Sequence, residues 1–149
     1  MKKEIEMDYK QSVVIKTSKE LAFEALMTGV DQWWGEVDHP AQGEGDVFTV
    51  SWGEPWYQFK IIEYNPFSKI TWECIEANQI IEGLEGVEKE WVGTKLIWRI
   101  ESKGDDMVQV SMEHHGLIPE FVCFNVCSSA WDHFITESLK DHLEKSGET

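Results

Sequence analysis

The chain has 149 residues, the length of one compact domain, and carries 28 acidic against 13 basic side chains for a formal net charge of −15. Only one of the bases is an arginine, Arg99. So negative a surface repels phosphate backbones and anionic lipid headgroups, which excludes nucleic-acid binding and argues against a membrane partner.

In chain order, the charged start Met1 to Glu6 reads as a frayed terminus. A β-rich stretch from Tyr9 to Lys16 reads as the first strand. Thr17 and Glu20 have the spacing of a capping box ahead of a short helix through Leu21, Phe23, Leu26 and Met27. Gly29 breaks that helix, and a second short turn carries Trp33 and Trp34. The apolar period then changes to two. Strands are predicted over Asp46–Trp52 and Trp56–Tyr64, joined by Gly53-Glu54-Pro55, with Tyr57, Phe59 and Ile61 on one face of the second. The next strand alternates Ile70, Trp72 and Cys74.

Residues 77–90 mix Ile80, Ile81 and Leu84 with glycines and acids, and read as a long hairpin connection or flap. Leu96, Trp98 and Ile100 share a face of the following strand, and Val108, Val110, Met112 and His114 a face of the last. Pro119 suits the first turn of a long C-terminal helix to about Lys145, on which Cys127, Trp131, Phe134, Ile135 and Ser138 form a stripe. Strands in a run with helices at both ends define an α+β protein: a curved antiparallel sheet of about six strands around a long C-terminal helix, two short helices following the first strand. No repeat or low-complexity linker divides residues 1–149, which read as one domain.

Motifs for chemistry are sparse. His114 and His115 are adjacent on a strand and point to opposite faces, so they cannot chelate one metal together. His39, His133 and His142 lie in separate segments without ligand spacing, and His133 with Glu137 has the i, i+4 spacing of a surface pair. His114 has two readings: a polar anchor or proton-transfer group in a cavity, or a strand-end histidine bonded to a backbone carbonyl. Cys123 and Cys127 are i, i+4 on the long helix and read as packing residues, neither at a helix N-terminus beside bases. A nucleophile elbow, a P-loop and a dinucleotide fingerprint are absent, so no metal or cofactor is expected and an enzymatic role is disfavoured. Residues 36–90 hold twelve acids and three bases, a broad negative field instead of a paired-carboxylate site. Three cysteines cannot all pair, and neither a signal-peptide core nor an apolar run of bilayer length is present, which suits a reducing cytoplasm.

Eight tryptophans remain. They either fill the core outright or rim a gap between sheet and helix, their N–H groups free to anchor a guest.

Five details carry a family likeness: the Thr17-to-Phe23 run T-S-K-E-L-A-F, the Trp33-Trp34 pair, the glycine-rich stretch Gly43 to Asp46, the run Glu113-His114-His115-Gly116-Leu117, and the spacing of Trp131, Leu139 and Leu143. From about Tyr9 to Glu144 the chain resembles the START-like (SRPBCC) superfamily and its helix-grip fold. Within it, the chain is most similar to the family of the C-terminal domain of the activator of the 90-kDa heat-shock protein ATPase. The resemblance implies a deep cavity between bent sheet and C-terminal helix, used across the superfamily for lipids, sterols, hormones and polyketides by carriers and by enzymes such as cyclases.

The leading expectation is a non-enzymatic binding module for a small hydrophobic or amphipathic ligand. Its cavity wall would come from Trp52, Tyr57, Phe59, Trp72, Trp98, Met112, Cys127 and Trp131, with Trp33 and Trp34 near the mouth and His114 orienting the guest. The alternatives are a stress-related co-chaperone acting on a chaperone through its acidic surface, and a cavity enzyme using acid–base chemistry at His114. A monomer or weak homodimer is expected.

Overall fold

A computed structural model describes residues 8–146; the expectation for Met1 to Glu6 lies outside the described residues. Seven strands form one antiparallel sheet: β1 (Tyr9–Lys16), β2 (Glu36–Val37), β3 (Val47–Ser51), β4 (Trp56–Asn65), β5 (Lys69–Asn78), β6 (Lys95–Ser102) and β7 (Met107–His115). Their order across the sheet is β1-β7-β6-β5-β4-β3-β2, so the first and last long strands lie side by side. The count exceeds the expected six by β2, whose two residues pair with Val50 and Ser51 and are too short to leave a periodic signal.

Curvature has a local origin. In the β4–β5 hairpin the register skips Ile75 on one strand and Ile62 on the other. Each extra residue bends its strand and raises its twist, and the sheet curls around the C-terminal helix.

Two short helices follow β1: α1 (Lys19–Ala25) and a 3₁₀ turn over Val30–Gln32. The cap of α1 is Ser18, whose hydroxyl accepts from the Leu21 amide at 3.1 Å, and not Thr17. Thr17 is buried, its hydroxyl without a partner, so the helix starts one residue later than the capping-box spacing predicts.

The C-terminal helix also starts later than Pro119 suggests. Leu117 is buried and its carbonyl accepts from the Tyr9 amide, which extends the β1–β7 pairing and leaves Pro119 in a turn. Helix α2 (Phe124–His133) begins where a distant carboxylate supplies the cap: the two oxygens of Glu90 accept from the amides of Val122 and Cys123 at 2.8 and 3.0 Å. A π turn (Phe134–Leu139) and α3 (Lys140–Ser146) continue it.

The π turn solves a spacing problem. Cys127, Trp131, Ile135, Leu139 and Leu143 are all buried at steps of four. In a regular α-helix each such step overshoots a full turn by about 40°, and the stripe would wind off the sheet. A wider turn in the middle subtracts part of that drift and keeps all five on the core side. Asp132, on the outer side, accepts from the Tyr9 hydroxyl at 2.6 Å and the Gln11 amide at 2.9 Å and pins the helix to β1. His133 and Glu137 form the predicted surface pair at 3.5 Å.

Candidate functional site: an aromatic pocket between sheet, loop and helix

The space between sheet and helix is occupied by indoles. Trp34 is buried and stacks on Trp72 of β5 at 6.0 Å and on Trp131 of α2 at 4.9 Å, bridging the two layers. Its ring also meets Trp33, Trp52, Tyr57, Phe59 and Phe134. Gly35 makes this possible: a Cβ there would lie 2.7 Å from the Trp52 ring, which rests against the backbone and donates its N–H to the Trp34 carbonyl at 3.0 Å.

Outside this plug lies a pocket of about 270 Å³, lined by Trp34, Trp52 and Tyr57 from the sheet side, Ile80, Ile81 and Trp91 from the β5–β6 connection, and Cys127, Trp131 and Phe134 from the helix, among others. Four of its rings form a closed circuit of nearly parallel planes. Tyr57 stacks on Trp91 at 4.1 Å, Trp91 on Trp131 at 5.8 Å, Trp131 on Trp34 at 4.9 Å and Trp34 on Tyr57 at 6.3 Å, with interplanar angles from 7° to 28°. Trp52 stands at 73° and 80° to Trp34 and Tyr57 and closes one corner. None of the lining residues is charged.

Five of the expected site residues therefore meet at the pocket: Trp34, Trp52, Tyr57, Cys127 and Trp131. Phe59, Trp72, Trp98, Met112 and His114 lie behind them as fully packed core, and Trp33 is buried with its N–H donating to the Ala25 carbonyl at 2.8 Å. Trp33 and Trp34 are thus floor and core, not mouth.

His114 resolves toward a structural role. Its Nδ1 accepts from the Trp131 indole N–H at 3.1 Å, which leaves Nε2 to donate to the Thr94 hydroxyl at 2.8 Å. Thr94 in turn donates to the Trp91 carbonyl at 2.6 Å. The histidine thus reaches a backbone carbonyl through one intervening hydroxyl. Complete burial, reinforced by His115 next to it, pushes its pKa down to about 3. The ring is neutral, fully bonded and covered by the Trp91 indole at 4.5 Å.

One pocket residue, and one that braces the pocket wall from behind, escape the sequence pattern. Trp91 sits in a charged stretch with no period of its own, yet it is 3% exposed and completes the aromatic circuit. Gln79 is 1% exposed: its Oε1 accepts from the Tyr57 hydroxyl at 2.6 Å and the Cys127 thiol at 3.3 Å, and its Nε2 donates to the Val87 carbonyl. The only sequence signal was a large aromatic and a lone amide inside an acidic connection. That connection is the predicted flap between strands, with Glu82, Glu85 and Glu88 in solvent and Glu90 turned inward to α2.

Indole N–H groups divide clearly. Those of Trp33, Trp52 and Trp131 are bonded internally, whereas those of Trp72, Trp91 and Trp98 are buried without a partner. Of these three residues only Trp91 lines the pocket. Elsewhere, Asp8, Glu113 and His115 cluster at the β1–β7 end, where the Asp8 carboxylate pairs with His115 at 3.0 Å and accepts from the Gly116 amide. Those bonds account for the cluster as a strand-end lock. No helix among the described residues is long and apolar enough to cross a membrane.

A bent antiparallel sheet gripping a long C-terminal helix is a helix-grip fold, and the described residues have it. The solved structures similar to this chain include the Aha1 dimer from Colwellia psychrerythraea, at 23% identity and a TM-score of 0.74 over 93% of this chain and 96% of that one. Protein SSP2350 from Staphylococcus saprophyticus matches at 15% identity and a TM-score of 0.69, over 94% and 93% of the two chains. DynU16, from the dynemicin biosynthetic locus, matches at 15% identity and a TM-score of 0.65, over 94% of this chain and 46% of that one. No protein-family model and no curated protein matches the sequence.

Proposed function

We propose that the protein binds a small, ring-containing amphipathic molecule in the aromatic pocket, without chemical conversion. The observation that carries this reading is the circuit of four nearly parallel rings, Tyr57, Trp91, Trp131 and Trp34, around a pocket with no charged lining residue. Such ring faces favour a flat aromatic guest by stacking. A volume of about 270 Å³ lies just under the range of ordinary ligand sites, roughly 300–1,000 Å³, and fits one or two fused rings. With no base in the lining and a net charge of −15, the guest is neutral or cationic, not anionic. Acid–base catalysis finds no support at His114, which is neutral and has both ring nitrogens engaged.

A matched pair of probes tests the reading. Indane, with its flat aromatic face, should bind several-fold more tightly in Kd than its saturated counterpart hydrindane, followed by tryptophan fluorescence. Trp91→Leu keeps an apolar wall, removes one stacking ring and should shrink that difference. If neither probe binds, the pocket reading falls; if both bind equally to the parent protein, the stacked rings are not what holds the guest.

A second reading, self-association, is favoured by exposed apolar side chains, Ile80 and Val126 at the pocket and Val122 one helical turn before Val126, which stand 48%, 47% and 54% exposed. The similar Aha1 structure is a dimer. Sedimentation should then show a mass that rises with protein concentration, and Val126→Glu should hold the protein as a monomer. A concentration-independent monomer would dismiss it.

A further inference from the structure

We propose that Cys123 and Cys127 are a redox modification site, at which a hydroperoxide small enough to enter the aromatic pocket closes the two thiols into an intrachain disulfide. The proposal stands independently of what else the pocket holds.

Residues four apart inside a regular helix hold their side chains about 5–6 Å apart at Cβ, too far for a disulfide, which needs about 3.5–4.5 Å. This pair is not inside a regular helix. Cys123 is the N-cap of α2, with φ −84° and ψ 0°. The two sulfurs stand 2.8 Å apart, with the Cys127 thiol directed at both Cys123 Sγ and Gln79 Oε1. Cys123 thus stands at a helix N-terminus, but beside the acid Glu90 and not beside a base.

Access comes from one side. Cys123 is sealed in the core, but Cys127 lines the pocket. The Cys127 thiol donates to Cys123, which lowers the Cys123 pKa and raises that of Cys127, so negative charge rests first on Cys123. The step therefore starts from the Cys123 thiolate: the shared proton moves from Cys127 to Cys123, and the Cys127 thiolate so formed attacks the peroxide. The O–O bond breaks, one oxygen stays on Cys127 as sulfenic acid, and the other leaves as water once protonated. Cys123 sulfur then attacks the sulfenic sulfur, the S–S bond forms, and hydroxide departs with the Cys123 proton as a second water. One thiolate, one thiol, one hydroperoxide and one proton from water thus give one disulfide and two waters or, for an alkyl peroxide, one alcohol and one water.

Cys74 is the internal control. It is free and buried on β5, its thiol turned to the Glu76 carbonyl at 3.5 Å, and burial pushes its pKa up to about 12. Closing the 123–127 bridge takes the thiol donor away from Gln79 Oε1, which keeps its bond to the Tyr57 hydroxyl, and ties the N-cap to the pocket wall.

The test treats the folded protein with hydrogen peroxide, blocks the remaining thiols after unfolding, and maps the peptides by mass spectrometry. The expected product is a 123–127 peptide lighter by two hydrogens than its reduced form, restored to two alkylatable thiols by dithiothreitol, with Cys74 alkylated throughout. Two free thiols after treatment, or oxidation only to sulfinic and sulfonic acids, overturns the proposal. So does a bridge that forms only when peroxide is added to protein already unfolded in urea. In Cys123→Ser the reaction should stop at a Cys127 sulfenic acid, trapped by a cyclic 1,3-diketone; a disulfide in that variant would mean a different partner for Cys127. The parent protein's peptide map decides the matter even if the variant does not fold.

Discussion

Replacing Trp34 by alanine should cost about 3–5 kcal/mol of folding stability, the penalty for deleting a large buried aromatic whose site cannot collapse. The site cannot collapse because Trp34 is held on both layers at once, by Trp72 in the sheet and Trp131 on the helix, with five further rings around it. Against a typical total of about 5–15 kcal/mol, the loss would move the midpoint of chemical denaturation far enough to read without ambiguity. Trp34→Phe, which keeps one ring between the layers, should lose substantially less. A Trp34→Ala protein that loses under about 1 kcal/mol would mean that the interior is not held by this side chain. The same variant joins the emptied volume to the pocket, so the indane site should widen and lose its preference for small rings.

The second large effect is a dependence of stability on pH that belongs to His114. In the unfolded chain this ring titrates near 6.5; in the folded protein burial holds it down to about 3. Between those values the unfolded state binds the extra proton. The stabilisation is therefore complete above pH 6.5 and drains away as pH falls toward 3, at up to about 1.4 kcal/mol per pH unit. About 2 kcal/mol should be gone by pH 5. Partly buried His142, its pKa also lowered, adds in the same direction. The carboxylates of Glu63, Glu76 and Glu144 are lowered by their hydrogen bonds and lysine partners, so their losses begin only below pH 4.5. Urea titrations at pH 7.5 and 5.0 separate these windows. His114→Gln, an amide that can still accept from Trp131 and donate to Thr94, should be less stable at pH 7.5 but lose most of the slope. An unchanged slope in that variant would assign the dependence elsewhere.

These two residues explain why the pocket has its present depth. Trp34 fills the interior that the helix-grip fold encloses, and the His114 network fixes Trp131 and, through Thr94, the backbone at Trp91. What remains open is the rim of that filling, where rings already placed by the core present apolar faces.

By itself the sequence determined the architecture, because strands and helices carry periodic burial that survives without knowledge of their partners. Alternation in Leu96, Trp98 and Ile100, or in Val108, Val110, Met112 and His114, marks buried faces wherever the strands go, and all seven are buried. The excess of tryptophan likewise pointed to the interior. The third dimension alone decided which of those aromatics would be wall and which would be filling. Tyr57, Cys127 and Trp131 share the pocket with Trp91 and Ile80, residues 23 to 51 positions away in a stretch without period, because that connection folds back over the sheet and is held there by Gln79. The same reason hid the start of α2 and the thiol pair. A cap supplied by Glu90 from 33 residues upstream leaves no trace in local spacing, and it is this cap that takes Cys123 out of the helix and sets its sulfur against Cys127.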